Sequence, residues 1–385
     1  MKTPPSYPGY AEASPIQWQR WKKGLMAGCS IMAIITFFLW PEQKSMKTLV
    51  FGFWVLGFPV GIWLTLLAIR FFFYQLNAYG HDRYKDVVDQ HLERWWENRS
   101  LSLPVKKAVM IGSLGDKQDT WANLLVSPPT APLPKSDKWQ GETLACPLLL
   151  GTGNTRTVAL ARLLAHQVLA MEELKTKDMP RFDAVAWYGN EESQTAFLTI
   201  LRQENIQFSG KIIPLADVRD IDGLIDLFYQ QSPQMRRMLC AGVACHESIS
   251  EGELAGEAGF AWLVDKESQV GIYRPEMFMP EKEDPKILTQ QLMRYASLSD
   301  IPSVCLAIDP DSMDAILPGG WSAVEHQLAP YFGELGPSAP FIAITQSVLH
   351  SIEHQQSCGW MASYSERNIE QKNFVTGVVA HYGKT

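Results

Sequence analysis

Two long apolar runs without a charged residue lie near the N-terminus, and they constrain the chain more than any other feature. The first covers residues 24–40 (GLMAGCSIMAIITFFLW) and the second residues 48–69 (TLVFGFWVLGFPVGIWLTLLAI). A helix needs ~20 mostly apolar residues to cross a bilayer, because its backbone polar groups must be bonded within the helix. We therefore expect a transmembrane helical hairpin over residues 24–74, with Pro59 as a tolerated kink.

Two other interpretations of these runs fit the flanking sequence less well. A signal peptide ends at a small-residue cleavage pattern, whereas 23 polar or mixed residues precede the first run and WPEQKSMK follows it. A buried core hairpin is disfavoured because two long uncharged runs lie only seven residues apart.

Basic residues flank both ends of the predicted hairpin. They are Arg20, Lys22 and Lys23 before it and Arg70, Arg83 and Lys85 after it, against Lys44 and Lys47 in the short loop. Because Lys and Arg favour the cytoplasmic side, we expect a two-pass membrane protein with both ends in the cytoplasm. Residues 1–23 are then a cytoplasmic tail, and the soluble domain is also cytoplasmic.

Charge is divided unevenly along the chain. Residues 1–74 carry seven Lys or Arg and two acids, whereas the remainder carries 27 basic and 39 acidic residues, a balance of −12. Nucleic-acid binding requires clustered Lys and Arg. The acidic soluble part therefore argues against a nucleic-acid partner.

The six cysteines are widely spread and do not form a disulfide or metal pattern. They are Cys29, Cys146, Cys240, Cys245, Cys305 and Cys358. Reduced thiols in a cytoplasmic domain are the simpler interpretation. We predict no metal site and no cofactor.

After the hairpin, the sequence alternates strand-like and helix-like patterns. An amphipathic pattern over residues 82–99 predicts a helix within a linker, residues 75–102. Two α/β halves follow, residues 103–274 and 275–385, and proline-rich segments at 127–147 and 275–285 are expected as loops. We predict strands at 105–111, 147–150, 183–187, 211–214, 238–244, 259–264 and 302–308, a closing antiparallel pair at 359–364 and 373–381, and helices at 155–171, 191–204, 217–231, 287–299, 311–331 (interrupted at 318–320) and 341–353.

Such alternation predicts the fold class α/β: an N-terminal two-helix transmembrane hairpin followed by a layered α/β/α soluble region. Helices that alternate with strands are typical of a largely parallel sheet. We find no sequence repeat between the two halves.

A glycine turn in LLLGTGNTRTVALARLL (148–164) precedes a predicted helix. A helix N-terminus can bind phosphate, but this segment lacks the P-loop lysine and the third glycine of a dinucleotide site. An ordinary strand–turn–helix with Asn154 or Thr155 as the cap is the stronger interpretation.

Several cysteine, histidine and glutamate residues lie close together in the sequence, but none of these groups forms a complete catalytic or metal-binding motif. Cys240, Cys245 and His246 lie in LCAGVACHES, where buried strand cysteines are favoured over a metal site or a Cys245–His246 nucleophile. Glu247, Glu251, Glu253 and Glu257 form an acidic cluster, more typical of a solvated turn than of a cation site. His350 and His354 lie in HSIEH, which is not the HExxH of zinc proteases, and the chain contains no G-x-S-x-G.

The segment CAGVACHESISEGELAGEAGFAWLVDK (240–266) resembles the strand–loop–strand of ketoacyl-synthase and thiolase-like proteins. Residues 331–344 resemble the later glycine-rich turn and buried helix of that fold, and residues 357–368 and 374–380 resemble its final strand pair. The resemblance covers about residues 105–380 and implies a thiolase-like fold.

This resemblance implies a nucleophilic cysteine at a helix N-terminus and two histidines near it. The segment around Cys146 lacks that setting, Phe332 falls near one histidine position, and His381 lies at the wrong end of the chain. We therefore expect that the catalytic apparatus is absent.

The hairpin followed by this α/β region resembles, in its layout, the bacterial type VI secretion lipase-effector adaptor family. The resemblance implies a non-catalytic adaptor that is anchored in the bacterial inner membrane and whose partners are a lipase toxin and a secretion spike protein. The alternatives are a thiolase-like or lipid- or acyl-chain-processing enzyme at the inner membrane, and a structural membrane component whose Gly52, Gly57 and Gly61 pack against other helices.

Overall fold

The computed structural model describes residues 2–41, 49–137, 141–151, 153–174, 181–208, 212–230, 237–245, 254–365 and 372–382. The chain divides into two compact units. We name Pro4–Trp95 the hairpin unit, and Trp96–Thr385 with Met1–Thr3 the α/β unit.

The hairpin unit contains two helices that are long and apolar enough to cross a membrane. Helix α1 spans Trp18–Leu39; α2 (Leu49–Gly52) leads through a π-helical turn, Phe53–Gly57, into α3 (Phe58–Arg99). Only 6% of the most apolar window of each helix is buried, which is opposite to what a core hairpin requires. Thr48 of the second predicted run lies outside the described residues.

Pro59 lies directly after the π-helical turn, in the first turn of α3. Proline removes a backbone donor and its ring displaces the preceding turn, and a π-bulge is one way to accommodate both effects. A Cβ atom on Gly57 would meet Phe53 at 2.9 Å, whereas Gly52 and Gly61 have no neighbour within 4 Å of that position. The space beside Gly57 is therefore occupied by the ring of Phe53, which lies four residues earlier in the same helical segment.

The predicted linker helix and the second predicted span form one helix, because residues 70–81 are also helical and α3 runs unbroken for 42 residues. The preceding segment packs on it within the hairpin unit. Tyr84 donates to the carbonyl of Pro8 at 2.6 Å, and Arg70 donates to the carbonyl of Ser14 at 2.8 Å.

The α/β unit contains these strands: β1 (Ser102–Ile111), β2 (Lys135–Asp137), β3 (Gly141–Leu144), β4 (Arg181–Phe182), β5 (Ala184–Tyr188), β6 (Gln207–Phe208), β7 (Ile212–Leu215), β8 (Arg237–Cys245), β9 (Ala255–Asp265), β10 (Val270–Tyr273), β11 (Glu276–Phe278), β12 (Val304–Ala307), β13 (Cys358–Ser365) and β14 (Lys372–His381). Its helices are α4 (Gln118–Ala122), α5 (Gly153–Leu169), α6 (Glu191–Gln203), α7 (Asp220–Gln230), α8 (Pro285–Tyr295), α9 (Pro310–Ile316), α10 (Ala329–Phe332) and α11 (Ala339–His354).

Among the described residues, twelve strands form one sheet with the main order β12-β13-β14-β10-β1-β9-β8-β5-β7. The prediction of a largely parallel sheet is wrong, because the pairs from β13 through β14, β10, β1 and β9 to β8 are antiparallel. Parallel pairing occurs mainly at the two ends, in β12–β13 and β5 with its neighbours. Antiparallel neighbours need no crossover helix between them.

The central strands are buried on both faces. Along β9, Phe260, Trp262 and Val264 face the core shared with α4, α7 and α11, whereas Ala261 and Leu263 face the core shared with α5 and α6. This alternation follows from the two-residue period of a strand. The soluble region is therefore layered α/β/α, as the sequence predicted.

Local predictions fail where proline-rich segments contain short strands. Residues 147–150 form no strand, whereas 127–147 contain the β2–β3 hairpin and 275–285 contain β11. Within 311–331, helical structure is limited to α9, a short 3-10 turn and α10. The closing antiparallel pair is confirmed as β13–β14.

A buried charged network fixes the last turn of α3 within the α/β unit. Arg99 pairs with Asp222 at 3.0 Å and with Glu276 at 2.5 Å. Arg274, 2% exposed, donates to the backbone carbonyl of Asn98 at 3.0 Å and pairs with Asp222 at 3.5 Å. Because these buried charges are mutually neutralised and hydrogen-bonded, the network is tolerated in the interior.

Candidate functional site

Three strand ends meet beside the start of α5. Strand β3 lies parallel to β9 with Leu144 opposite Gly256, and β8 ends with Cys245 opposite Glu257. The chain after β3 passes through Cys146 before it enters α5. This convergence brings together Cys146, Arg156, Cys245 and Glu257, which we name the Glu257 cluster.

An ion pair between Arg156 and Glu257 forms the centre of the cluster. Arg156 and Glu257 are only 7% and 5% exposed, and Nε of the arginine donates to Oε1 of the carboxylate. The other carboxylate oxygen accepts the backbone N–H of Cys146 at 3.0 Å. Arg156 also donates to the carbonyls of Leu149 at 2.9 Å and Cys146 at 2.8 Å. The pair therefore joins the 146–149 loop to β9 and α5, with its charges already satisfied.

The two thiols of the cluster are not activated. Burial raises the pKa of the Cys146 thiol, and the nearby Glu257 charge raises it further. Burial, followed by the same carboxylate, raises the pKa of Cys245 to about 12. A catalytic thiol needs a lowered pKa, because the thiolate is the nucleophile. Both side chains are protonated at neutral pH.

The remaining cysteines of the α/β unit also have raised thiol pKa values. All five of its cysteines are free thiols. Burial raises the pKa of Cys305 to about 12, and it also raises the pKa values of Cys240 and Cys358. The prediction of a buried strand cysteine is confirmed for Cys240, whereas Cys245 is partly exposed and His246 lies outside the described residues.

The acidic cluster is placed differently from the prediction. Glu257 is not part of a solvated turn but lies buried within β9, and its charge is matched by Arg156. Glu247, Glu251 and Glu253 lie outside the described residues. A carboxylate next to the apolar residues 258–264 is a sequence signal that could have indicated a buried cation partner.

The glycine turn before α5 is bounded by acidic groups. Gly151 has a φ of +104°, and Asn154 lies inside the first turn of α5. The side-chain oxygen of Asn154 accepts from Asn190 at 2.8 Å, and its amide donates to Glu192. Glu191 and Glu192 add negative charge at the start of α6, which disfavours a phosphate ligand beside it.

The expected position of a catalytic histidine is filled by aromatic packing. Phe332 is fully buried and stacks on Trp121 with ring centroids 5.1 Å apart. A Cβ atom on Gly256 would lie 1.9 Å from the carbonyl oxygen of Phe332, so the backbones approach closely there. His381 ends β14, where it pairs with Val270. Neither residue is part of the Glu257 cluster.

The two histidines of HSIEH contact each other on α11. Their ring centroids are 4.7 Å apart, and Nε2 of His350 lies 3.4 Å from the side-chain oxygen of Gln356. Burial, followed by the charge of His354, lowers the pKa of His350 to about 4. No metal-ligating group of three or more side chains is present among the described residues.

Comparison with known proteins gives matches to solved structures only. No protein-family model and no curated protein matches the chain.

Three of the matched structures are an acyltransferase, an HMG-CoA synthase and a ketosynthase domain. ChlB3, described as an acyltransferase, has a TM-score of 0.45 and 11% identity, covering 72% of this chain and 97% of that one. HMG-CoA synthase complexed with CoA has a TM-score of 0.41 and 12% identity, covering 73% and 83%. The oxazolomycin ketosynthase domain OzmH KS8 of Streptomyces albus JA3453 has a TM-score of 0.43 and 10% identity, covering 73% and 95%.

With TM-scores below 0.5 and such low identities, the matches carry no conclusion about activity. The α/β/α class of this chain rests on its own sheet and layers.

Proposed function

We propose that the chain is a membrane-anchored, non-catalytic adaptor. In this proposal the hairpin unit holds it in the bacterial inner membrane with both ends in the cytoplasm. The α/β unit binds a lipase toxin and assists its loading onto a type VI secretion spike protein. The identity of the cargo follows from the family resemblance in layout.

One observation carries the proposal: a pair of exposed apolar helices is joined to a folded unit whose thiols are all free and buried or half-buried. Water-exposed apolar helices are costly, whereas the same surface is favourable in lipid. The raised thiol pKa values support a binding function over a condensing reaction.

Co-purification with the proposed cargo tests the adaptor function. The full chain, a type VI phospholipase and its spike protein are co-expressed, extracted in a mild detergent and purified through a tag on the full chain. We expect the phospholipase and the spike protein to co-elute with it in a defined stoichiometry. A folded, detergent-soluble chain that binds neither protein would contradict the proposal.

Matched cysteine variants test the enzymatic alternative. Cys245 and Cys305 both have pKa values of about 12, but only Cys245 belongs to the Glu257 cluster. We expect the full chain, Cys245→Ala and Cys305→Ala to give the same background turnover of acyl-thioester and phospholipid substrates. Turnover that is lost in Cys245→Ala and retained in Cys305→Ala would establish an enzyme.

Reporter fusions test the proposed orientation. A C-terminal fluorescent protein that needs the cytoplasm to fold should fluoresce, and a C-terminal alkaline phosphatase that needs the periplasm should be inactive. The reverse pattern would place the α/β unit outside the cytoplasm. Release of the full chain from membranes without detergent would contradict anchoring itself.

A further inference from the structure

An apolar groove runs between the two apolar helices of the hairpin unit. Its volume is about 470 Å³, within the ~300–1,000 Å³ range of small-molecule sites. Gly24 and Gly28 of α1 line one side, and Pro59 and Ile62 of α3 line the other. The groove lies entirely within the hairpin unit.

The glycines account for the open space on the α1 side. Gly24 and Gly28 are four residues apart, so they lie on the same face of the helix. A Cβ atom at either position would have no neighbour within 4 Å. A side chain at these positions would occupy the groove, whereas glycine leaves it free for another apolar molecule.

One end of the groove is cationic and aromatic. Arg20, Trp21 and Trp63 line this end, and Nε1 of Trp63 donates to the carbonyl of Trp21 at 2.9 Å. Tryptophan pairs and basic residues are typical of the depth at which lipid headgroups lie. Within residues 2–41 and 49–95, no carboxylate forms an ion pair with Arg20.

We propose that this groove binds an anionic phospholipid. An acyl chain lies along Gly24 and Gly28, and the phosphate contacts Arg20. Charge complementarity favours this occupant: an apolar channel that ends in a cation without a carboxylate partner in the described part of the chain matches an acyl chain that ends in an anion. The inference rests on the membrane insertion proposed above, but it does not depend on the identity of the cargo.

A second copy of the chain fits the groove less well. Copies inserted in the same orientation would bring their Arg20, Lys22 and Lys23 side chains to the same membrane depth. Like charges that approach each other disfavour such a pair. The cationic end therefore favours a lipid over another helix of the same protein.

Native mass spectrometry of the full chain in detergent tests the proposal. The probes are phosphatidylglycerol and phosphatidylcholine with identical acyl chains, titrated separately. We expect one tightly bound phosphatidylglycerol per chain, with an affinity about fivefold higher than for phosphatidylcholine, because one cation near an anionic headgroup contributes on that scale.

Three variants locate the site. Arg20→Gln should abolish the preference for phosphatidylglycerol, whereas Lys23→Gln removes the same charge outside the groove lining and should retain it. Gly28→Leu should weaken the binding of both lipids because it fills the channel.

Equal binding of the two lipids, or a preference that survives in Arg20→Gln, would overturn the proposal. So would Gly28→Leu converting a dimer to a monomer without an effect on lipid binding, which would assign the groove to a second copy. A chain that stays soluble without detergent would instead refute the membrane insertion on which the inference rests.

Discussion

Helices α1 and α11 show that apolar composition alone does not decide what a helix contacts. Of the 22 residues of α1, only Thr36 is buried, although the helix is predominantly apolar. In α11, by contrast, residues 339–351 are all buried, including five polar side chains.

Three of the five buried polar side chains of α11 donate hydrogen bonds, two of them within the helix, whereas Ser351 Oγ has no partner among the described residues. Thr345 donates to the carbonyl of Phe341 at 2.6 Å, and Ser347 donates to that of Ala343 at 2.9 Å. The amide of Gln346 donates to the carbonyl of Trp121 at 2.8 Å. Hydrogen bonding therefore allows polar side chains to be buried in a helix, whereas most of the apolar side chains of α1 are left uncovered by the described residues.

Truncation of a ring in each helix gives the largest expected difference. Phe341 is fully buried and stacks on Phe260 at 5.2 Å, so Phe341→Ala should lower the free energy of unfolding by about 4 kcal/mol. Phe38, 79% exposed, is the matched control, and Phe38→Ala should change unfolding of the α/β unit by less than ~0.5 kcal/mol. Urea titration of the full chain in detergent, followed by near-UV circular dichroism, measures both. Similar losses would contradict the contrast between the two helices.

Removal of the buried negative charge in the Glu257 cluster should cause the second-largest loss of unfolding free energy. Glu257→Gln leaves Arg156 buried without a counter-charge, and this should cost about 3 kcal/mol of unfolding free energy. The double variant Glu257→Gln/Arg156→Met removes both charges and should recover part of the loss. The same urea titration applies. A single variant as stable as the native chain would show that the buried pair contributes no net stability.

The lowered pKa of His350 predicts a smaller, pH-dependent change in the free energy of unfolding. Its pKa in the folded state, about 4, lies below the value of ~6.5 expected when unfolded, so the unfolded state binds the additional proton as pH falls. Stability is fully present above pH ~6.5 and is lost progressively toward pH ~4, by about 2 kcal/mol at pH ~5. Burial lowers this pKa most; His354 and His326 lower it further, whereas Gln356 raises it.

Urea titrations between pH 7 and 5 measure this loss, and His350→Gln is the control. We expect the variant to have a flatter pH dependence than the native chain. An unchanged slope in His350→Gln would assign the loss to other groups.

Removal of an exposed ion pair should cause the smallest loss of unfolding free energy. Lys372 pairs with Asp311, and their side chains are 47% and 55% exposed. Lys372→Gln should lower the free energy of unfolding by less than ~1 kcal/mol, because solvent screens an exposed pair. A loss comparable to that of Glu257→Gln would remove the distinction between buried and exposed charges.

Local elements were predictable where the residue pattern decides them. The periodicities of α5, α6 and α11 and the apolar runs of β8, β9 and β13–β14 predicted their positions. The direction of strand pairing was not predictable, because it depends on which distant strands become neighbours.

The Glu257 cluster was missed for a related reason. Arg156 lies 101 positions before Glu257, and no local pattern connects a helix arginine with a strand carboxylate at that separation. The sequence showed a carboxylate and an arginine, and only the fold brings them into contact.

Gly256 limits which substitutions this chain can accept during evolution. Its N–H donates to the carbonyl of Glu334 at 2.9 Å, and the oxygen of Phe332 occupies the space that any β-carbon would need. Replacement by alanine or a larger residue would require two segments to separate. Relatives that preserve this backbone crossing should keep glycine here after most other positions have drifted, so this residue is a marker by which remote descendants can be recognised.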